Sequence, residues 1–104
     1  SNIKYEELDK FSNENIINLL TSIKGIGQWT AEIYLIFSLK REDVFPAGDL
    51  ALQEASRLLL QLNTRPTEKE MRSLSEHWKP FRSICALLLW HFYKHDKSRE
   101  STLW

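Results

Sequence analysis

Apolar residues along this chain recur every three or four positions, and no segment alternates strictly between apolar and polar residues. Spacing of the first kind is typical of amphipathic helices, whereas strict alternation is typical of half-buried strands. The pattern predicts an all-α fold, a helical bundle of five or six helices without a strand. The predicted helices are 12–20 (or 13–20), 28–39, 49–62, 67–77 and 81–95. Residues 1–11 are expected to add a short helical turn, and 96–104 to form a polar tail that contains Trp104.

Residues with known preferences for helix ends stand at most of these boundaries. Ser12 or Asn13 can cap the first helix, and Thr67 is followed three positions later by Glu70, as in a capping box. Pro80 is expected in the first turn of the last helix, where a helix has no partner for the N–H that proline lacks. The apolar runs at 33–39 and 84–92 are expected to be buried. The expected buried face of the second helix consists of Ala31, Ile33, Leu35, Ile36 and Leu39, and that of the third of Leu50, Ala51, Ala55, Leu58, Leu59 and Leu62.

Length and composition fit a single domain, 1–104, with one modest core. The 104 residues are 42% apolar and 27% charged, which is ordinary globular usage. The longest apolar runs are too short to span a bilayer, so no membrane partner is expected. The single cysteine, Cys85, lies in an apolar segment and supports neither a disulfide nor a metal site. These features indicate an intracellular protein in a reducing compartment.

The charge balance limits how the protein can bind nucleic acid. Lysine and arginine together number 14, and so do aspartate and glutamate, whereas bulk electrostatic attraction to DNA needs a basic protein. Any DNA binding must therefore be local. Two interpretations of the basic residues stay open: Lys24, Lys40, Arg41, Lys79 and Arg82 form a basic rim around such a site, or they are ordinary solvated surface charges.

Two glycines one residue apart interrupt the helical pattern between the first two helices. The segment Lys24-Gly25-Ile26-Gly27, in a hairpin region at 21–29, requires a tight turn, so the pattern predicts a helix-hairpin-helix. The unpaired N–H groups and the positive dipole end of the second helix then point out of the turn, where an anion can approach closely. Such a turn can hold a nucleic-acid backbone without reading its sequence. On these residues alone, a simple helix terminator remains the alternative.

Three ordered motifs carry a resemblance to a known family. They are the segment from Leu20 to Glu32, which reads Leu-x-x-Ile-Lys-Gly-Ile-Gly-Gln-Trp-Thr-Ala-Glu, an Asp in a Pro-x-x-Asp-Leu setting twenty positions after the Trp, and a late Trp-Lys-Pro-Phe-Arg-Ser segment at 78–83. Together they resemble the helix-hairpin-helix DNA glycosylases, and within them the 3-methyladenine DNA glycosylase II branch, which excises alkylated bases. The resemblance covers roughly Asn15 to Tyr93 and corresponds to the C-terminal half of such an enzyme.

Asp49 has two compatible interpretations. By itself, an Asp between a glycine and an apolar helical segment is a helix N-cap. The resemblance implies that it is also the catalytic carboxylate. The two roles are compatible, because a helix start favours the ionised form of a carboxylate and the reaction needs that form. Cleavage of the bond between base and deoxyribose builds positive charge on the sugar, which a fixed negative charge stabilises. Asp49 would also orient or deprotonate the attacking water.

Trp29 bears on the type of glycosylase. Superfamily members that also cut the DNA backbone carry a lysine at this place, whose amine attacks the sugar. The resemblance therefore implies a monofunctional enzyme that leaves an abasic site. The indole also suits stacking on a cationic alkylated purine, with Ile33 and Tyr34 as further substrate contacts. In this branch the position of Ile33 is frequently aromatic, so this chain departs from the family pattern there. The alternative interpretation of Trp29 is a residue of the hydrophobic core without a role in binding.

The resemblance further implies how DNA is held. The residues expected at the DNA backbone are Lys24, Gly25, Ile26, Gly27, Gln28 and Thr30. Backbone carbonyls of Thr21, Ile23 and Ile26 are expected to hold a monovalent cation, Na⁺ or K⁺, when DNA is bound, and no other cofactor is expected. The implied partners are double-stranded DNA with damaged bases and the missing N-terminal helices of the same protein. The implied location is the cytoplasm or nucleoid of a bacterium or the nucleus of a eukaryote.

Two other functions remain compatible with the sequence. One is a non-catalytic helix-hairpin-helix module that binds DNA phosphates without sequence specificity, which the hairpin alone predicts. A carboxylate such as Asp49 near the backbone disfavours it, because it repels phosphate. The other is a helical interaction domain that kept the fold and lost the activity.

Overall fold

The computed structural model describes residues 10–102, with side chains up to Asp96. Its five α-helices are α1 (Asn13–Thr21), α2 (Gln28–Phe37), α3 (Leu50–Leu59), α4 (Glu68–Ser75) and α5 (Arg82–Thr102), with a 3-10 turn at Glu76–Trp78 between the last two. This part of the chain contains no strand, so the predicted all-α fold is confirmed. The helical turn expected at 1–11 and the position of Trp104 lie outside the described residues, apart from Lys10 and Phe11, which are not helical.

The capping signals in the sequence act as predicted. The Ser12 hydroxyl accepts a hydrogen bond from the Asn15 backbone N–H at 3.1 Å and starts α1. At α4, the Thr67 hydroxyl accepts from the Glu70 N–H at 3.1 Å, while the Glu70 carboxylate accepts from the Thr67 N–H at 2.8 Å. Both arrangements pair N–H groups that a helix start leaves without internal partners.

Helix α2 ends two residues earlier than the predicted Leu39. Lys40 adopts a left-handed conformation with φ of 57°, and the Arg41 N–H donates to the Leu35 carbonyl at 2.9 Å. This bond closes a loop of seven residues, 35–41, and gives a partner to a carbonyl near the end of the helix. A residue in this conformation after a helix is usually glycine. Because the residue here is a lysine, the sequence does not indicate that the helix ends before it.

Both ends of α5 differ from the prediction. The helix begins at Arg82, with the Phe81 carbonyl accepting the first bond from the Cys85 N–H at 3.1 Å, so Pro80 lies before the helix and not in its first turn. The helix continues to Thr102, where a polar tail was expected from residue 96. Neither glycine nor proline interrupts 96–102, and the lysine, arginine and glutamate there are good helix formers. No helix within residues 10–102 is both long and apolar enough to cross a membrane.

The core consists of two apolar clusters that meet at Trp90. The first lies where α3 packs on α5, and the second where α1 packs on α2. The members of the first are Phe45, Ala47, Leu52, Ala55, Met71, Ala86 and Leu89, and those of the second are Ile16, Leu35, Ile36 and Val44. The half-buried Trp90 packs against both clusters, so it joins the two halves of the molecule.

The predicted buried face of α3 is wrong in part. Leu50 is 64% exposed and Leu59 is 54% exposed, while the residues that α3 buries are Leu52, Gln53, Ala55 and Ser56. Leu50 lies about 160° around the helix from Leu52, hence on the opposite face. Leu59 ends the helix, and Leu62 follows it in an exposed loop.

Part of α5 is also more exposed than expected. Ile84, Leu87 and Leu88 are exposed, although they belong to an apolar run that predicted burial. Four leucines and one isoleucine on α3 and α5 are therefore in contact with solvent: Leu50, Leu59, Ile84, Leu87 and Leu88.

Candidate functional site

Asp49 caps α3 and is almost buried. Its Oδ1 accepts a hydrogen bond from the Leu52 backbone N–H at 3.0 Å, as an N-cap carboxylate does. The residue is 9% exposed, although it lies at a helix end. The N-cap interpretation from sequence is therefore confirmed.

Two indoles hold the same carboxylate. Trp29 Nε1 donates to Asp49 Oδ2 at 2.7 Å, and Trp90 Nε1 donates to Asp49 Oδ1 at 3.2 Å. With the Leu52 N–H, the carboxylate accepts three hydrogen bonds, so both oxygens have fixed directions. The structure thus brings together Asp49 and Trp29, which are 20 positions apart in the sequence.

Trp90 is a site residue that the sequence did not reveal. It lies within the apolar run at 84–92, where an aromatic residue is indistinguishable from a core residue. A tryptophan needs a partner for its N–H when it is buried, which is the one general signal that marks such a position. The partner is 41 positions away and becomes visible only in the folded chain.

Exposed aromatic side chains accompany the two indoles that bind Asp49. Trp29 is 47% exposed, so its ring stays accessible while its N–H is bound. The ring of Phe37 lies 5.7 Å from that of Trp90 and is also exposed. Ile33 is half-buried on the helix turn after Trp29, whereas Tyr34 packs against the second core cluster. Of the two residues predicted beside Trp29, Tyr34 therefore contributes to the core.

The hairpin exposes the start of α2. Gly27 is its N-cap and offers no side chain to the helix, and the first internal bond runs from the Ala31 N–H to the Gly27 carbonyl at 3.1 Å. The N–H groups of Gln28, Trp29 and Thr30 precede that bond and have no partner within the helix. Gly25 has φ of +93°, and an added Cβ at either glycine would meet open space. This end of α2 is therefore accessible to an anion.

The hairpin region presents exposed side chains and one backbone carbonyl with a free lone pair. Lys24 and Thr30 are exposed, and the Gln28 amide donates to Glu32 at 3.4 Å. The Ile23 carbonyl accepts one bond, from the Ile26 N–H at 3.1 Å, which leaves it a lone pair for a further partner. A cation could use that oxygen. Among residues 10–96, whose side chains the structure describes, no cluster of three or more His, Cys, Asp or Glu side chains is arranged to hold a metal ion.

The late Arg-Ser motif anchors the segment that leads to Asp49. The Ser83 hydroxyl accepts from the Val44 N–H at 2.9 Å and donates to the Val44 carbonyl at 3.1 Å. Next to it, Arg82 Nε donates to Asp43 Oδ1 at 2.7 Å. Hydrogen bonds from the Arg82 side chain lower the pKa of Asp43 from its ordinary value, although burial acts in the opposite direction. The start of α5 thereby fixes the loop between α2 and α3.

Three of the basic residues singled out in the sequence have partners within the protein. Arg82 pairs with Asp43, and Lys79 Nζ lies 2.7 Å from a carboxylate oxygen of Glu76. Arg41 donates to Asn13 at 2.9 Å. Lys79 and Arg82 are thus paired with carboxylates, and Arg82 serves the loop anchor rather than a solvated surface, while Arg41 keeps its charge beside a neutral amide. Whether the basic residues form a rim for DNA stays a prediction.

No protein-family model matches the chain. The DNA-3-methyladenine glycosylase 1 of Schizosaccharomyces pombe is 48% identical over 85 residues, which cover 82% of this chain and 37% of that protein. A putative DNA-3-methyladenine glycosylase of Bacillus subtilis is 36% identical over 88 residues, or 85% of this chain and 31% of that protein.

Solved structures agree with these relatives. The Schizosaccharomyces pombe 3-methyladenine DNA glycosylase in complex with abasic DNA matches with a TM-score of 0.78 and 48% identity, over 82% of this chain and 41% of that one. The DNA-3-methyladenine glycosidase of Bacillus halodurans matches with a TM-score of 0.78 and 35% identity, over 88% and 42%. The chain thus spans less than half the length of these relatives. In sequence and in fold, the chain belongs to the DNA-3-methyladenine glycosylases of the helix-hairpin-helix superfamily.

Proposed function

We propose that the protein is a monofunctional DNA glycosylase that hydrolyses the N-glycosidic bond of alkylated bases of the 3-methyladenine type and leaves an abasic site. The observation that carries the proposal is the carboxylate of Asp49, held between two indole N–H groups beside an exposed hairpin. Relatives at up to 48% identity are named for this activity. The protein then acts inside the cell, where DNA is found.

Asp49 is the catalytic residue of this proposal. A base that is flipped out of the duplex would bring its sugar to the open side of the carboxylate, which stabilises the positive charge that develops as the bond breaks. The same carboxylate orients or deprotonates the water that completes hydrolysis. The protein has Trp29 where an amine nucleophile would be needed for backbone cleavage, so water is the nucleophile.

Trp29 supplies a stacking surface for the substrate. Its N–H is bound to Asp49 while nearly half of the residue remains exposed, so a base can lie on the ring without breaking that bond. Alkylated purines such as 3-methyladenine are cationic, and a cation on an indole face is attracted to the ring. A positively charged base also leaves without prior protonation, so no general acid is required. Ile33 lies one helical turn after Trp29, where a Tyr or Phe would make the proposed pocket more aromatic.

The hairpin is proposed to hold the DNA backbone. The N–H groups at the start of α2 and the open space around Gly25 and Gly27 suit a phosphate, and Lys24 adds a positive charge. A Na⁺ or K⁺ ion between hairpin carbonyls, such as that of Ile23, and a phosphate would strengthen this contact. Because the hairpin alone would bind DNA, a non-catalytic DNA-binding module remains the second candidate function.

The active enzyme is proposed to include N-terminal helices that this chain does not contain. The relatives are more than twice as long as the matched segment, and the chain exposes Leu50, Leu59, Leu87 and Leu88. Helices that cover these side chains would remove apolar surface from water and complete the wall of the base pocket. We call the chain together with this segment the complete protein.

Release of 3-methyladenine from methylated duplex DNA tests the proposal. The complete protein is expected to release the base, and Asp49→Asn is expected to lose at least about 100-fold in rate, because a fixed charge that stabilises a transition state contributes roughly 3–4 kcal/mol. DNA affinity is expected to stay equal or rise, since a negative charge is removed. Asp96→Asn, the same chemical change on α5, is the control and should keep full activity.

Each outcome separates the candidates. No release from the wild-type complete protein on any alkylated substrate, with DNA binding intact, would refute the enzyme and support the binding module. Release that survives Asp49→Asn would refute the role of Asp49 while keeping the glycosylase. Loss of both activity and binding in the wild type would leave a helical interaction domain.

A further inference from the structure

We propose that Arg72 of α4 is a positioning residue that sets the distance between Trp29 and Asp49. The two site residues belong to different segments, α2 and the loop before α3, and Arg72 contacts both segments at once. The inference deepens the proposed function, because it assigns the alignment of the catalytic carboxylate to a side chain that does not touch it.

The first contact is a buried ion pair with the helix that carries Trp29. Glu32 lies one helical turn after Trp29 and is 2% exposed. Its two carboxylate oxygens accept from Arg72 Nη1 at 2.7 Å and from Arg72 Nη2 at 3.3 Å. A two-point contact between a planar guanidinium and a carboxylate fixes orientation as well as distance.

The second contact is with the loop that leads to Asp49. Arg72 Nη1 also donates to the Phe45 carbonyl at 3.0 Å, four residues before Asp49. The same nitrogen therefore bridges Glu32 and this carbonyl. A displacement of the guanidinium would move α2 and the loop relative to each other.

A third contact reaches the residue next to Asp49. Arg72 Nη2 donates to Glu68 Oε2 at 3.3 Å. The carboxylate of Glu68 lies over Gly48, where a Cβ would be 3.2 Å from Oε1. The absence of a side chain at Gly48 thus gives the Glu68 carboxylate room to approach the loop.

The chemistry of the cluster requires arginine. A carboxylate as buried as that of Glu32 needs a paired cation, because an unpaired buried charge is strongly unfavourable. Burial by itself would lower the pKa of Arg72, but Glu32 and Glu68 raise it above its ordinary value, so the guanidinium stays charged. Lysine would keep one charge and lose the planar fork, so it cannot serve Glu32 and Phe45 with the same geometry.

The test compares Arg72→Lys with Arg65→Lys in the complete protein. Arg65 also pairs with a glutamate, Glu54, at 3.1 Å, but its side chain is half exposed and its partner belongs to α3, not to α2 or the loop before Asp49. Arg72→Lys is expected to lower kcat about tenfold with KM for methylated DNA within about twofold, because misplaced reacting groups affect the chemical step. Arg65→Lys should change neither.

A spectroscopic signature separates positioning from general stability. In the wild type, the Trp29 indole N–H resonance is expected downfield, with slow exchange with water, because it donates to a carboxylate at 2.7 Å. In Arg72→Lys it should move upfield and exchange faster, at a temperature where circular dichroism shows full helicity. If Arg72→Lys does not fold, Glu32→Gln removes the same ion pair and should give the same shift.

The outcomes are distinct from those of the proposed function. An unchanged Trp29 resonance in folded Arg72→Lys or Glu32→Gln would overturn the positioning role, whatever the activity. A shifted resonance in a complete protein that releases no base would support the positioning role and refute the glycosylase. A fall in kcat that is equal in Arg72→Lys and Arg65→Lys would also refute the specific role of Arg72.

Discussion

Replacing Trp29 with phenylalanine tests the hydrogen bond that joins the hairpin helix to Asp49. The change removes the Nε1 donor that lies 2.7 Å from Asp49 Oδ2 and keeps an aromatic ring for stacking. Hydrogen bonds to charged groups contribute roughly 1.5–3 kcal/mol to stability. Because Trp29 is 47% exposed, water can reach the freed oxygen, so we expect the lower end of that range, about 1.5 kcal/mol.

A double-mutant cycle isolates this bond from the loss of ring area. In Asp49→Asn, the amide oxygen can still accept from the Leu52 N–H, but the amide nitrogen faces the Trp29 donor, so the bond is already lost. Trp29→Phe should therefore destabilise the Asp49→Asn variant much less than the wild type. Urea unfolding of the four proteins is expected to give a coupling energy of about 1.5 kcal/mol between the two positions.

The activity of the single variant provides the second measurement. We assume that the whole energy of the hydrogen bond between Trp29 and Asp49, about 1.5 kcal/mol, stabilises the transition state. The rate of 3-methyladenine release by Trp29→Phe should then fall about tenfold, since each 1.36 kcal/mol is a factor of ten in rate. A coupling energy below about 0.5 kcal/mol, the usual scatter for independent sites, would show that the indole and the carboxylate act separately. That result would refute the reasoning from the 2.7 Å contact.

The remaining predictions concern the loop anchor and the hairpin. The pKa of Asp43 is lowered in the folded protein, mainly by hydrogen bonds from the Arg82 side chain. The pair therefore stabilises the fold at pH values above 3.8, the ordinary pKa of the carboxyl group, and this contribution is lost as the pH falls further and the carboxylate is protonated. Arg82→Met should therefore cost about 1 kcal/mol at pH 7 in urea unfolding, and less at pH 3; an equal cost at both values would contradict the assignment. Gly25→Ala forces a side chain into φ of +93° and should destabilise the fold by roughly 1–3 kcal/mol. Gly27 has an extended backbone, so Gly27→Ala should destabilise the fold less than Gly25→Ala does. Gly27→Ala should nevertheless weaken binding to an abasic-site duplex, measured by fluorescence anisotropy, because the added methyl group keeps a phosphate away. Unchanged binding would exclude a phosphate contact at Gly27.

Local signals in the sequence were sufficient for most of the fold. Side-chain caps at Ser12, Asp49 and Thr67 act within three residues, so the sequence shows both partners of each hydrogen bond. The end of α2 was less visible, because Lys40 takes a left-handed conformation that glycine usually signals. The polar character of the residues after Asp96 predicted a tail, yet α5 continues through them, because polarity and helix propensity are independent.

The site could be predicted only where a motif joined its parts. Trp29 and Asp49 belong to segments whose spacing carries the family resemblance, and the structure brings them into contact. Trp90 and Arg72 lie outside the glycine hairpin and the Asp49 segment, and their partners are 41 and 40 positions away. Contacts of that range depend on how helices pack, which periodicity does not specify. Leu50 and Leu88 were predicted to be buried but are exposed, for a related reason. An apolar side chain indicates a preference for burial, but it does not indicate which other segment would cover it.

The cap formed by Asp49 has a consequence for how this protein changes over evolutionary time. The same carboxylate starts α3 through the Leu52 N–H and, in the proposed mechanism, faces the reacting sugar. A substitution by alanine would be selected against even in a lineage without excision, because the helix would lose its cap. Asparagine or serine would keep the cap and lose the charge. Among related sequences, these two residues at position 49 would therefore mark descendants that retain the fold after the chemistry has been abandoned, more reliably than any change in the hairpin.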